Sequence, residues 1–281
     1  MSYAFSRSDK SVQAALRRIA IEQTEFGLAR ASDSGPLPQR LHDMRLAVKK
    51  LRGLIRLVKP AFPDFRNEDA ALRDAARHLS PLRDTHVVEI TLTELAGDQD
   101  ASGLLPWEVH PNAADPAGPV AAYVRDITGL RQRASGWRLG APGFDPVAAG
   151  LASTVRLARR RHREARENPD DETLHAWRTR VKNHFYQSRL LEPIWPEVMA
   201  PHIEAANRLG DLLGAHHDLA VLAHRLRRLS DPRATQMIDR ARNRQVEIWA
   251  EADLLGARLF AEKPKALAAR WGALWKIWRN A

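Results

Sequence analysis

Apolar residues along this chain recur every three to four positions almost from end to end, and no segment sustains the every-other-residue alternation of a strand. That period predicts helices near residues 9–31, 38–59, 66–97, 117–135, 146–168, 171–192, 198–229, 232–260 and 266–279. Stretches rich in Pro, Gly and Asp separate them at 32–38, 59–65, 97–119, 136–146 and 192–197. Pro81 falls inside one helical pattern and predicts a kink there, because its ring clashes with the preceding turn and it has no N–H to donate. Near the end, Trp271, Trp275 and Trp278 share a helical face. Docking against the core is the simpler reading of that stripe, and a partner-binding surface the alternative. The expected fold class is all-α.

Two of these helices are written to one template. Residues 41–64 and 174–197, compared without gaps, share nine identities: Leu41/Leu174, His42/His175, Arg45/Arg178, Val48/Val181, Lys49/Lys182, Arg56/Arg189, Leu57/Leu190, Pro60/Pro193 and Pro63/Pro196. Unrelated segments would share about one or two. After a one-residue shift the correspondence continues, with LSPLRDTHVV (79–88) matching LGAHHDLAVL (213–222) at Leu79/Leu213, Asp84/Asp218 and Val87/Val221. An internal duplication follows, with repeats at 1–140 and 141–281, the second ending in the Trp-rich helix. Two similar halves commonly pack about a pseudo-twofold axis, as two subunits would.

Charge sharpens the picture. The chain of 281 residues carries 44 Lys and Arg against 34 Asp and Glu, a net +10, which speaks to partners rather than to fold. His42, Arg45, Lys49, Arg52 and Arg56 follow one another at spacings of three and four, on one helical face. The second copy repeats His175, Arg178, Lys182 and Arg189, with Phe185 in place of Arg52. Arg45–Lys49, Lys49–Arg52 and Arg52–Arg56 are like-charge neighbours, each destabilising to an isolated helix. Such self-repulsion calls for an external anion. From His42 to Arg56 the stripe runs about 21 Å at about 1.5 Å per residue, long enough to follow several phosphates. Arg159 and Arg163 repeat the stripe spacing on the helix before the second motif. They are candidates for the same lining, with a solvated face as the competing reading. Facing stripes would build one shared positive groove.

At these residues the chain resembles the CHAD domain, the conserved-histidine α-helical domain. LHDMRLAVKKLR and LSPLRDTHVV, with LHAWRTRVK and LGAHHDLAV, match that family's histidine–arginine–lysine helix and its RD-type segment. The resemblance implies two four-helix-bundle repeats enclosing a basic central channel that binds inorganic polyphosphate, and association with polyphosphate granules. It implies ligand-binding roles for His42, Arg45, Lys49, Arg52, Arg56, Arg83, His175, Arg178, Lys182 and Arg189, and Arg159 and Arg163 join them as candidates by their spacing alone. Lys50, Asp84, His217 and Asp218 are expected in support, the aspartates as ion-pair partners that orient the stripe arginines. Phe185 and His217 depart from the pattern.

No cysteine is present, so neither a disulfide nor a thiolate metal site can form. No apolar run approaches the roughly 20 residues of a membrane span, and the first residues lack the pattern of a signal peptide. A cytoplasmic protein is expected. His216, His217 and Asp218 point in divergent directions on a helix, so no metal is expected, and no cofactor. Phosphate loops, nucleophile elbows and paired-acid motifs are missing from the sequence, so the chain reads as a binding module and not an enzyme. Its expected partners are inorganic polyphosphate and other granule proteins. Nucleic acid, held by its backbone on the same surface, is the competing ligand.

Overall fold

The computed structural model describes residues 3–82, 84–97, 103–104 and 116–281. Arg83, expected in the ligand site, lies outside the described residues, as does the side chain of Asp84. Among the described residues the chain is all helical, with no strand. Ten α-helices follow in order: α1 Val12–Ser32, α2 Leu37–Leu57, α3 Phe65–His78, α4 Asp84–Ala96, α5 Ala117–Ala134, α6 Asp145–Glu167, α7 Asp171–Leu191, α8 Pro196–Leu226, α9 Pro232–Leu259 and α10 Pro264–Asn280. Their starts carry familiar signals. Ser11, Asp170 and Asp231 accept hydrogen bonds from the free N–H groups of α1, α7 and α9. Proline occupies the first turn of α2, α6, α8, α9 and α10, where its missing N–H costs nothing.

Each motif helix, α2 or α7, runs straight into a single 3₁₀ turn, Lys59–Ala61 in one case and Glu192–Ile194 in the other. The following element differs. Where a kinked helix over 66–97 was expected, the structure has two helices, α3 and α4, because the turn at Pro81 breaks the ladder outright. The Leu79 N–H falls back to Ala76 O and the Ser80 hydroxyl also donates to Ala76 O. At the matching place in the second copy stands Ala215, and α8 continues for 31 residues.

Two apolar clusters hold the helices together. The larger takes side chains from both sequence halves, including Leu16, Met44, Leu54, Leu72 and Tyr123 from the first and Trp177, Leu190, Leu209 and Trp271 from the second. The N-terminal segment joins it, with Tyr3 and Phe5 buried and the Phe5 N–H donating to Leu190 O. α6 approaches the end of α2 backbone to backbone, since a Cβ at Gly150 would stand 1.7 Å from Leu57 O. Trp271, Trp275 and Trp278 are buried, and Trp275 meets Phe5 and Phe144 edge-on or tilted, so the tryptophan stripe docks α10. The smaller cluster clamps Val88 and Leu92 of α4 against Leu222, Leu226, Met237 and Ala241 of α8 and α9.

Candidate functional site

α2 and α7 pass close to one another at the centre. A Cβ on Gly53 would lie 2.6 Å from Tyr186 Cβ, so only glycine lets α7 come so near. Beside that point the Arg56 guanidinium donates to Asn183 Oδ1 at 2.9 Å. From this crossing the two helices border a cleft of about 1240 Å³.

The α2 wall presents His42, Lys49, Arg52 and Arg56, and the α7 wall His175, Arg178, Lys182, Asn183 and Tyr186. Neither wall contributes an acid. The opposite sides come from α4, α8 and α9, with Glu94, Asp211, Asp218 and Glu247. They also carry two cations the sequence reading passed over, Arg240 and Arg244. Among the described residues, seven Lys and Arg side chains against four acids leave the lining at net +3 with histidines neutral.

Local packing explains how these side chains are held. Asp69 of α3 accepts from Arg52 Nε at 3.0 Å and Arg56 Nη2 at 3.1 Å, relieving the repulsion that the stripe builds into α2. Burial pushes the Asp69 carboxyl up, but the Arg52 hydrogen bond and the charges of Arg56 and Arg52 hold it below the usual range. Arg56 pays for its depth: burial first, then the charge of Arg52, bring it down to about 10. On α8, Gly210 and Gly214 stand four apart under Lys182 and Arg178. A Cβ at Gly210 would press into the Lys182 stem at 2.7 Å, and one at Gly214 would reach the Arg178 guanidinium at 3.4 Å. Lys182 then meets Asp211 at 2.8 Å. Asp69 and Asp211 thus orient cations of the two stripes, and Asp218, expected in that role, lines the cleft.

Not every predicted residue arrives there. Arg45 reaches the Ser80 hydroxyl at 3.3 Å and is absent from the lining. Lys50 turns towards the rings of Tyr3 and Phe26, where burial and the nearby Arg189 charge lower its pKa. Arg189 is exposed and outside the cleft. Arg159 donates to the carbonyls of Ala261 and Glu262 before α10, and Arg163 is exposed on α6, so neither of these α6 arginines meets the stripes. His217 packs against the His175 ring with centroids 4.5 Å apart. Burial lowers the pKa of both, helped by the other histidine and Arg178 at His175, and by Arg178 at His217. Arg240 and Arg244 were legible only as part of the basic run RARNR, which lacks the duplicated context of the stripes.

A CHAD domain family model matches residues 12–227. Similar in fold is the crystal structure of the CHAD domain from the plant Ricinus communis, with a TM-score of 0.63 and 19% identity over 93% of this chain and 96% of that one. No curated protein matches the chain. Since the family model spans most of the sequence and includes both histidine–arginine–lysine helices that wall the cleft, the chain belongs to the CHAD domain family.

Proposed function

We propose that this protein binds inorganic polyphosphate in the cleft between α2 and α7, without catalysis, and is recruited to polyphosphate granules through that ligand. One observation carries the reading: two copies of a cationic stripe border a single cleft, and neither helix adds an acid to it. Polyphosphate is a linear string of phosphates with about one charge each and no bases. Arg52, Arg56 and Arg178 suit it because a guanidinium donates two parallel hydrogen bonds to one phosphate, while Lys49 and Lys182 add compact charge. Two of the lining acids are committed to cations, Asp211 to Lys182 and Glu247 to Arg244 at 2.6 Å, which favours binding over acid–base chemistry.

The site is best read as two helical-bundle repeats related by a pseudo-twofold axis through the α2–α7 crossing. In such an arrangement a residue meets its own counterpart only on the axis, and off-axis contacts come in reciprocal pairs. Gly53 and Tyr186 are counterparts in the alignment and touch. Arg56 bonds Asn183, and the reciprocal pair, Lys50 and Arg189, is close enough for Arg189 to shift Lys50. Both features support a groove built symmetrically and then made unequal by Phe185 and by the break at Pro81.

Nucleic acid would use the same charges, yet among the described cleft-lining residues Tyr186 is the one Phe, Tyr or Trp, and it is buried. Competition of labelled long-chain polyphosphate against tRNA and single-stranded DNA at about 150 mM salt tests the choice, because counterion release makes any lower-salt comparison unselective. Polyphosphate is expected to win clearly. Equal or tighter nucleic-acid binding would reverse the assignment.

A further inference from the structure

Behind the cleft lies a second cavity of about 240 Å³, and Arg56 and Asn183 line both, so their hydrogen-bonded pair forms the wall between them. This smaller, partly open cavity is lined by the end of α2, the 3₁₀ turn, α3, α6 and α7, and none of the described α8, α9 or α4 side chains lines it. Its charged lining is Arg56, Lys59 and Arg180 against the single acid Asp69. Asp69 Oδ1 is already shared by Arg52 and Arg56. Ser153 and Thr154 add hydroxyls from α6.

Arg180 is the informative residue. It projects from the motif helix α7 but away from the cleft, and it is half-buried. Its Nε is buried and makes no hydrogen bond among the described residues. Burial and the charges of Arg161, Arg160 and Arg52 all work against its protonated form, with Asp69 the attraction that opposes them. Arg160 and Arg161 share Glu164 with each other, at 3.5 and 2.6 Å. A buried guanidinium donor facing a cavity rich in positive charge is costly without an anion and favourable with one.

We propose that this cavity is a separate site for one phosphoryl group, either free orthophosphate or the terminal phosphate of a chain, with Arg180, Lys59 and Arg56 as its cationic ligands. Its volume, about a fifth of the cleft's, suits an end group and not a length of polymer. Arg56, common to both cavities, would sense both occupants. This goes beyond the cleft reading, and its orthophosphate arm does not depend on that reading.

The test titrates the full chain with orthophosphate, linear tripolyphosphate and cyclic trimetaphosphate, which has no chain end, using calorimetry or ³¹P NMR. If free phosphate is the ligand, orthophosphate binds one-to-one, Arg180→Gln weakens it about tenfold or more, the worth of one charge-assisted hydrogen bond, and Lys182→Ala does not. If the chain end is the ligand, Arg180→Gln weakens linear tripolyphosphate by that factor and spares the cyclic form. Should Arg180→Gln leave orthophosphate binding unchanged and also spare linear tripolyphosphate, or weaken its linear and cyclic forms equally, the site is refuted. If that variant fails to fold, Ser153→Val, which fills the cavity from α6, is held to the same outcomes. Failure of the cleft reading would show instead as long-chain binding indifferent to Lys182→Ala.

Discussion

Replacing Arg178 by alanine probes the cleft most directly. Arg178 lies on Gly214 of α8, half-buried, and faces the cavity beside His175 and Lys182. With polyphosphate as the proposed ligand, each phosphate neutralised releases counterions, and the affinity should fall with salt at a slope of about −0.7 per contact for a single-stranded polymer. All seven lining cations engaged would give a slope of about −5, and the net +3 of the lining sets a lower limit near −2. Removing Arg178 deletes one contact and should make the slope shallower by about 0.7. It also removes a charge-assisted hydrogen bond worth about 1.5–3 kcal/mol, or about ten- to a hundredfold in Kd. Fluorescence anisotropy of end-labelled long-chain polyphosphate across a salt series measures both quantities on one sample. Circular dichroism should show unchanged helix content, because the side chain rests at the cleft edge and not in the apolar core. A wild-type slope shallower than about −1, or an Arg178→Ala variant with wild-type slope and affinity, would refute the reasoning.

Three further outcomes follow from the same geometry. Binding should tighten as pH falls through the ordinary histidine range near about 6.5, since His175 and His217 are held neutral by burial and by Arg178, and a bound polyanion would raise both. Calorimetry in buffers of different ionisation enthalpy should detect proton uptake, and His175→Gln with His217→Gln should abolish most of it. The stability effect has the opposite sign: with folded pKa values lowered, the unfolded state protonates first, so the ligand-free protein should lose stability over the same fall in pH. Asp69→Asn should lower Tm and raise polyphosphate affinity at low salt, because Arg52 and Arg56 lose their shared acid. The depressed Asp69 pKa stabilises the wild type above the carboxylate range and is lost as pH falls through it, so that acid limb should be missing from thermal melts of the variant. Gly150→Ala should cost about 1–3 kcal/mol or more, read as a reduced Tm, because its Cβ would overlap Leu57 O and force α6 off α2.

Much of this molecule was legible along the chain because the relevant physics is local. Helix periods, proline and glycine breaks, the duplicated His–Arg–Lys face and the tryptophan stripe depend on neighbours within a turn or two, and the structure's α2, α7 and α10 lie within two or three residues of the predicted spans. The break at Pro81 was located but underestimated. Whether a proline kinks a helix or ends it depends on what the next segment packs against, and α4 has its own partners in α8 and α9.

The remainder was decided by contacts between residues far apart in sequence. A stripe spaced at three and four specifies a face, not which part of that face meets a cavity: Lys49 and Arg52 enter the cleft, Arg45 turns to Ser80, and Arg189 stays outside. Arg159 carries the same spacing as the stripe yet serves a loop before α10. Asp69 and Gly210 had no pattern to mark them, and Arg240, Arg244 and Gly214 none that told their roles, which exist only once α3, α8 and α9 are laid against the motif helices. Periodicity is set by the backbone's own geometry and survives in one dimension. Charge pairing, close approach and enclosure are properties of distances across the fold, and only the packed helices supply them.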